Sequence, residues 1–115
     1  MTKILLVDDH IGILRLLSAE LAVKGYEVIT AANGEDGLWR VFHDNPDLVL
    51  LDVMMPVMNG FEVLVKIREH SNLPVVIHSF DEFNQKRALI LGADDFIIKP
   101  FNMEKLIKVI NQLID

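Results

Sequence analysis

Asp8 and Asp9 stand side by side at the end of the apolar run ILLV, Asp52 closes LVLL, and Ser79 and Lys99 follow PVVIH and FII. A phosphate-binding turn is usually glycine-rich, so that backbone N–H groups can cradle the anion. Here the corresponding stretch, DDHIGIL, carries carboxylates instead. Bare carboxylates repel phosphate, yet oxygen ligands gathered at one spot seat a hard divalent cation, which then attracts it. Asp8 and Asp9 therefore read as part of a seat for Mg²⁺ or Mn²⁺. Each residue also has a plainer reading: the Asp pair as a helix N-cap, Asp52 as a turn residue, Ser79 as a cap, Lys99 as a surface cation. Their conjunction at the ends of four separate apolar runs favours a site.

The elements that must position them alternate along the chain. KILLV (3–7), EVITA (27–31), LVLL (48–51), PVVIH (74–78) and FIIK (96–99) are short, nearly continuous apolar runs of the kind found in strands covered on both faces. Between them Leu14, Leu17 and Leu21 recur at helical spacing, as do Leu38, Val41 and Phe42, then Val63, Leu64 and Ile67, and last Leu106, Ile110 and Leu113. Gly25, NGED (33–36), NP (45–46) and Gly92 punctuate the helices. Strictly alternating β and α predicts a doubly wound α/β fold with a parallel sheet, in which ligands bind beyond the carboxyl ends of the strands.

Bulk properties narrow the function classes. One domain spanning 1–115 suits the length of 115 residues. The net charge of −6 argues against direct binding to a phosphate backbone. Cysteine is absent, which excludes disulfides and thiolate zinc sites, and no apolar stretch approaches membrane-spanning length or forms a signal peptide. The expected setting is the cytoplasm.

Taken together, ILLVDDH, PDLVLLDVMMPVMNGFEVL, PVVIHSF and GADDFIIKPF resemble, in this order and spacing, the receiver domain of two-component response regulators over essentially the whole chain. The resemblance implies a flavodoxin-like (βα)5 sandwich with strand order 2-1-3-4-5. It implies that Asp52 accepts a phosphoryl group from a histidine kinase or histidine phosphotransfer protein. Asp9, Asp52 and the backbone carbonyl of Met54 would bind Mg²⁺, with Asp8 acting through a water. Lys99 would hold one phosphoryl oxygen and Ser79 another, and Phe96 would swing inward as the hydroxyl moves. Pro100 would follow a cis peptide bond, and Pro56 and Gly60 would shape the loop beyond the acceptor. The implied output is an altered surface on the fourth helix, fifth strand and fifth helix, read by a downstream protein or by a second receiver. The chain stops at Asp115, just after the fifth helix, and reads either as a stand-alone receiver that acts by docking or as a piece of something larger.

Several residues depart from that pattern. Phe80 stands where the family usually has Ala or Gly, so a phenyl ring beside the pocket is expected to obstruct water and small phosphodonors, unless it simply points to solvent. Ser79 lacks the methyl of Thr, and Phe96 lacks a phenolic hydroxyl. His78 either tunes the site or is merely packed and hydrogen-bonded; His10, His43 and His70 read as surface residues. Leu89, Ile90 and Leu91 cannot all face one side of a helix, so at least one is expected outside, with Leu91 singled out as a partner contact. Asp94 and Asp95 read as a solvated turn.

A competing class is an Asp-nucleophile hydrolase of the haloacid dehalogenase type, which also uses Mg²⁺, Ser or Thr, and Lys. Those enzymes carry an acid/base Asp two residues beyond the nucleophile, where this chain has Met54. A conventional enzyme is therefore not expected. A module that binds but is never phosphorylated is the third class, and the intact Asp8, Asp9, Asp52 and Lys99 weigh against it.

Overall fold

The computed structural model describes residues 1–114, so Asp115 of the expected single unit lies outside it. Among the described residues five strands alternate with five helices: β1 Lys3–Val7, α1 Ile11–Val23, β2 Glu27–Ala31, α2 Gly34–Asp44, β3 Leu48–Asp52, α3 Gly60–Arg68, β4 Val75–Ser79, α4 Asn84–Ile90, β5 Asp95–Ile98 and α5 Met103–Ile114. All four strand pairings are parallel and the order is β2-β1-β3-β4-β5, as the resemblance implied. The register sets Val7 beside Leu51, Asp52 beside His78 and Ser79 beside Ile98. The carboxyl ends of β1, β3, β4 and β5 thus share one rim.

Helices cover both faces. Leu5, Val49, Leu51 and Ile77 pack with Val41, Val63, Leu64 and Ile67 on the α2–α3–α4 side. Ile4, Leu6, Leu50 and Val76 pack with Leu14, Leu21, Leu106 and Ile110 on the α1–α5 side. This two-sided burial explains why β1, β3 and β4 read as unbroken apolar runs. β2 departs from the expectation: as an edge strand it keeps Glu27 and Thr30 exposed and buries only Ala31. Phe42 also departs, being exposed at the rim of α2 rather than turned to the sheet, where its ring meets His70 edge-on.

The local signals act as expected at the helix ends. Asn33 caps α2, accepting from the Asp36 N–H at 2.8 Å, and Asn45 ends it in the left-handed region at φ 50°. Asn59 and Glu62 form a reciprocal capping box at the start of α3. α1 is capped by His10, whose Nδ1 accepts from the Ile13 N–H at 3.2 Å, so neither Asp8 nor Asp9 serves as its cap. The surface reading of His10 is thereby refined.

Asp94 is exposed, as a solvated turn residue would be, and its Oδ2 also accepts from the Val75 N–H and from Arg68 Nη2, each at 2.8 Å. Arg68 also donates to the carbonyls of Gly92, Ser71 and Leu73, tying together the loops that lead into β4 and β5 at the rim opposite the acidic residues.

Candidate functional site

β1 and β3 deliver Asp8 and Asp52 to the carboxyl rim, with 2% and 4% of their surface exposed. Lys99, one residue beyond β5, reaches both: Nζ lies 2.9 Å from Asp52 Oδ1 and 3.2 Å from Asp8 Oδ2. Its peptide bond to Pro100 is cis, as the resemblance implied. The second oxygen of Asp8 accepts from the His10 N–H at 2.9 Å, which fixes that carboxylate. Asp9 stays exposed beside the pair, and Met54 lies exposed on the loop after Asp52.

Two buried carboxylates shared by one ammonium leave the pocket short of positive charge. Asp52 registers this. Burial pushes its carboxyl above the usual range, the hydrogen bond from Lys99 opposes that, and the negative charges of Asp8 and Asp9 add to the rise. The structure gathers one donor atom each from Asp8, Asp52 and His78 within 4.8 Å, a group that does not include Asp9, and the hard oxygens of the two buried carboxylates fit a divalent cation such as Mg²⁺.

Gly60 and Pro56 lie in the loop that leads from Asp52 into α3. The Gly60 N–H donates to the Val53 carbonyl at 2.9 Å, and a Cβ on Gly60 would collide with the Asp52 carbonyl. A glycine is required because the acceptor strand and the start of α3 touch there.

Ser79 is buried, and its Oγ accepts from the Asp81 N–H at 3.1 Å and from Asn84 Nδ2 at 3.0 Å, so it is engaged with the start of α4. Phe96 is already buried within the α2–α3–α4 core. Phe80 is 74% exposed, which matches the reading that it points to solvent, but its ring centroid also stands 5.3 Å from Lys99 Nζ. Phe80 thus borders the mouth of the pocket, and with Met54, Pro56, Ser79 and Asp81 it lines a groove of about 780 Å³ leading from it.

His78 is 1% exposed, with its ring edge-on to Phe101. Its Nε2 is 4.0 Å from Asp8 Oδ2, whereas its buried Nδ1 has no hydrogen-bond partner. It is packed, but not hydrogen-bonded as a packed histidine usually is. Burial holds its imidazole well below the ordinary value and Lys99 adds to that, so the ring is neutral.

On α4, Leu91 packs against the core while Leu89 and Ile90 are exposed, Ile90 at 73%. Exposure in that triplet was expected, but the outward residues are Leu89 and Ile90 and not Leu91. Sequence reasoning missed Asn84 as a partner of Ser79, because an asparagine five residues downstream of a strand end carries no periodic signal. The approach of His78 to Asp8 was more accessible, since the parallel register sets His78 beside Asp52.

Comparison with known proteins agrees with this geometry. The response regulator receiver domain family matches residues 4–111. A probable transcriptional regulator ycf27 of Cyanophora paradoxa is 43% identical over 106 residues, covering 90% of this chain and 44% of that protein. The response regulator ArlR of Staphylococcus aureus is 38% identical over 116 residues, covering 99% of this chain and 53% of that protein. The chain therefore spans about half the length of the curated relatives it matches. Among solved structures, the response regulator TrrA of Thermotoga maritima, crystallised in complex with Mg(2+)-BeF, superposes with a TM-score of 0.91 at 36% identity, covering 98% of this chain and 99% of that one. Chemotaxis protein CheY4 of Vibrio cholerae gives 0.90 at 35% identity, with 98% of each chain covered. An acidic pocket with a lysine across it, on a 2-1-3-4-5 parallel sheet and matched over nearly all its length, places this chain in the response regulator receiver domain family, the phosphorylation-responsive modules of two-component signalling.

Proposed function

We propose that Asp52 is the phosphoacceptor and that a phosphohistidine on a sensor kinase or a histidine phosphotransfer protein is the donor. The observation that carries this reading is Lys99 bridging Asp52 and Asp8 in a buried pocket at the carboxyl rim. A carboxylate attacks a phosphoryl group poorly while anion repulsion persists, and catalysis is then mostly positioning and charge neutralisation. Asp9, Asp52 and the Met54 carbonyl would hold Mg²⁺, with Asp8 acting through a water. When bound, Mg²⁺ supplies charge neutralisation for the carboxylates and for the incoming phosphoryl oxygens.

The residues then act as follows. An oxygen of Asp52 forms the new P–O bond while the donor's P–N bond breaks, and its electron pair returns to the imidazole nitrogen. Lys99, already hydrogen-bonded to Asp52, moves to a phosphoryl oxygen. Ser79 donates its hydroxyl hydrogen to another. The acyl phosphate places about two negative charges at the rim and biases the start of α4 through Ser79. Leu89, Ile90 and Ile98 leave an apolar face exposed on α4 and β5 for a downstream protein or a second receiver.

Hydrolysis of external phosphoesters is disfavoured by Met54, whose thioether has no proton to exchange. Intact mass after incubation with Mg²⁺ and acetyl phosphate tests the proposal. One added phosphoryl group, lost with chelator and in Asp52→Asn, is expected. Labelling that persists in Asp52→Asn refutes the assignment of the acceptor.

A further inference from the structure

The neutral imidazole of His78 has no place in the chemistry so far assigned to the pocket. Its ring is 1% exposed, its Nδ1 is unpartnered, and Nε2 faces the acidic pair at 4.0 Å from Asp8 Oδ2. One donor atom each from Asp8, Asp52 and His78 lie within 4.8 Å of one another, and all three residues are buried. A nitrogen donor aimed at two carboxylates changes which ion the pocket prefers. Mg²⁺ gains little from imidazole, whereas Mn²⁺, Co²⁺ and Zn²⁺ gain much.

We propose that Asp8, Asp52 and His78 form a binding site for a first-row transition-metal cation, a donor set that shares Asp52 with the all-oxygen Mg²⁺ seat but takes a nitrogen from His78 in place of the oxygen of Asp9. Tetrahedral Zn–N and Zn–O bonds of about 2.0–2.2 Å set donors roughly 3.4 Å apart. Small rotations of His78 and Asp8, which stand 4.0 Å apart, therefore bring both into one shell.

Lys99 Nζ occupies the same space, 3.2 Å from Asp8 Oδ2 and 2.9 Å from Asp52 Oδ1. A cation bound by His78 excludes the ammonium, and the face of Phe80, 5.3 Å away, is positioned to receive it. The two modes are mutually exclusive with respect to Lys99. Transition-metal binding thus withdraws Asp52 from phosphoryl transfer.

This inference deepens the reading of the acidic pocket, yet its test needs no phosphodonor. Protein labelled with ¹⁵N-histidine is titrated with Zn²⁺ and, separately, with Mg²⁺, and both affinities are measured by calorimetry for wild type and His78→Leu. Zn²⁺ is expected to move the ring-nitrogen resonances of His78, resolved from those of His10, His43 and His70, and Mg²⁺ is not. In His78→Leu the Zn²⁺ affinity is expected to fall by about tenfold or more, with Mg²⁺ affinity retained as proof of folding. Unmoved His78 resonances at saturating Zn²⁺, or equal Zn²⁺ affinity in the two proteins, would overturn it. The wild-type titration decides the matter alone if His78→Leu does not fold. Failure here with Asp52 labelling intact removes only the transition-metal site; Zn²⁺ binding without labelling removes only the phosphoacceptor reading.

Discussion

Gly60→Ala is the sharpest test of how the fold holds its acceptor. Gly60 begins α3, outside the left-handed region, so an alanine backbone is allowed there and helix propensity gains up to about 1 kcal/mol. The added Cβ is nonetheless placed against the Asp52 carbonyl oxygen and 2.9 Å from both Asp52 C and Val53 Cα. Carbon atoms in contact normally stand about 3.5 Å apart or more, so α3 or the end of β3 must retreat by at least roughly 0.6 Å. Both neighbours are backbone atoms and cannot rotate away. Overpacking of this kind costs about 3 kcal/mol, and straining the Gly60 to Val53 hydrogen bond adds about 1 kcal/mol, leaving a net loss of about 3 kcal/mol. With a urea m-value of about 1.5 kcal/mol/M, the unfolding midpoint drops by about 2 M. Because the displaced backbone is that of Asp52 itself, phosphorylation by acetyl phosphate slows by at least about tenfold. A midpoint shift below about 0.5 M with an unchanged labelling rate would refute the close-approach argument.

Other perturbations probe separate parts of the molecule. Arg68→Ala strips donors from the carbonyls of Gly92, Ser71 and Leu73 and a partner from Asp94, and is expected to cost about 2–3 kcal/mol in thermal or urea unfolding; a loss under about 0.5 kcal/mol would mean the cluster is only a surface arrangement. Phe80→Ala removes a ring worth about 0.5–1 kcal/mol to the Lys99 ammonium, so labelling by acetyl phosphate and subsequent hydrolysis should each change by about two- to fivefold, and identical rates would dismiss the ring as a spectator. Asp52→Asn should stabilise the fold at neutral pH: the native carboxyl titrates above its unfolded value, so wild-type stability falls as pH rises through that window. Below the unfolded pKa of Asp the advantage vanishes, and an advantage independent of pH would contradict the burial argument. Ile90→Asp should leave stability within about 0.5 kcal/mol while weakening partner binding or self-association, as scattering and pull-down would register; intact association removes that face from the proposal.

The parts of the fold that were legible in the sequence are those where packing and covalent pattern coincide. β1, β3 and β4 are buried on both faces and so read as apolar runs, and Asn33, Asn45 and Gly92 mark helix ends by their own backbone chemistry. EVITA misled because an edge strand and a central strand share β-branched residues, and only the sheet order decides which is which. The exposure of Asp94 was legible but its partner was not, because Arg68 lies 26 residues away. Leu91 and Ile90 differ by one position, about 100° around a helix, and the sequence alone leaves the phase of so short a helix open. The cluster at the carboxyl rim was legible because each of its residues ends or directly follows a strand. The tie between Asn84 and Ser79 was not, since it depends on where α4 begins.

That tie bears on how phosphorylation of Asp52 would be read out. Ser79 Oγ accepts two hydrogen bonds, from the Asp81 N–H and from Asn84 Nδ2, which leaves its own hydrogen free to donate. Phosphoryl oxygens are acceptors, so the new bond and the existing two do not compete for the same atom; they compete for the same χ1. Turning the hydroxyl toward Asp52 exchanges two neutral bonds worth about 1 kcal/mol each for one charge-assisted bond worth about 1.5–3 kcal/mol, and the balance is close to even. α4 has no side-chain cap, with Phe83 at its N-cap position, so the bond from Asn84 to Ser79 acts beside the turn bonds to Asp81 and Glu82 in restraining its first turn. Releasing it frees a short helix whose Leu89 and Ile90 are the exposed apolar residues, which is how a charge on Asp52 would reach a surface formed by other residues.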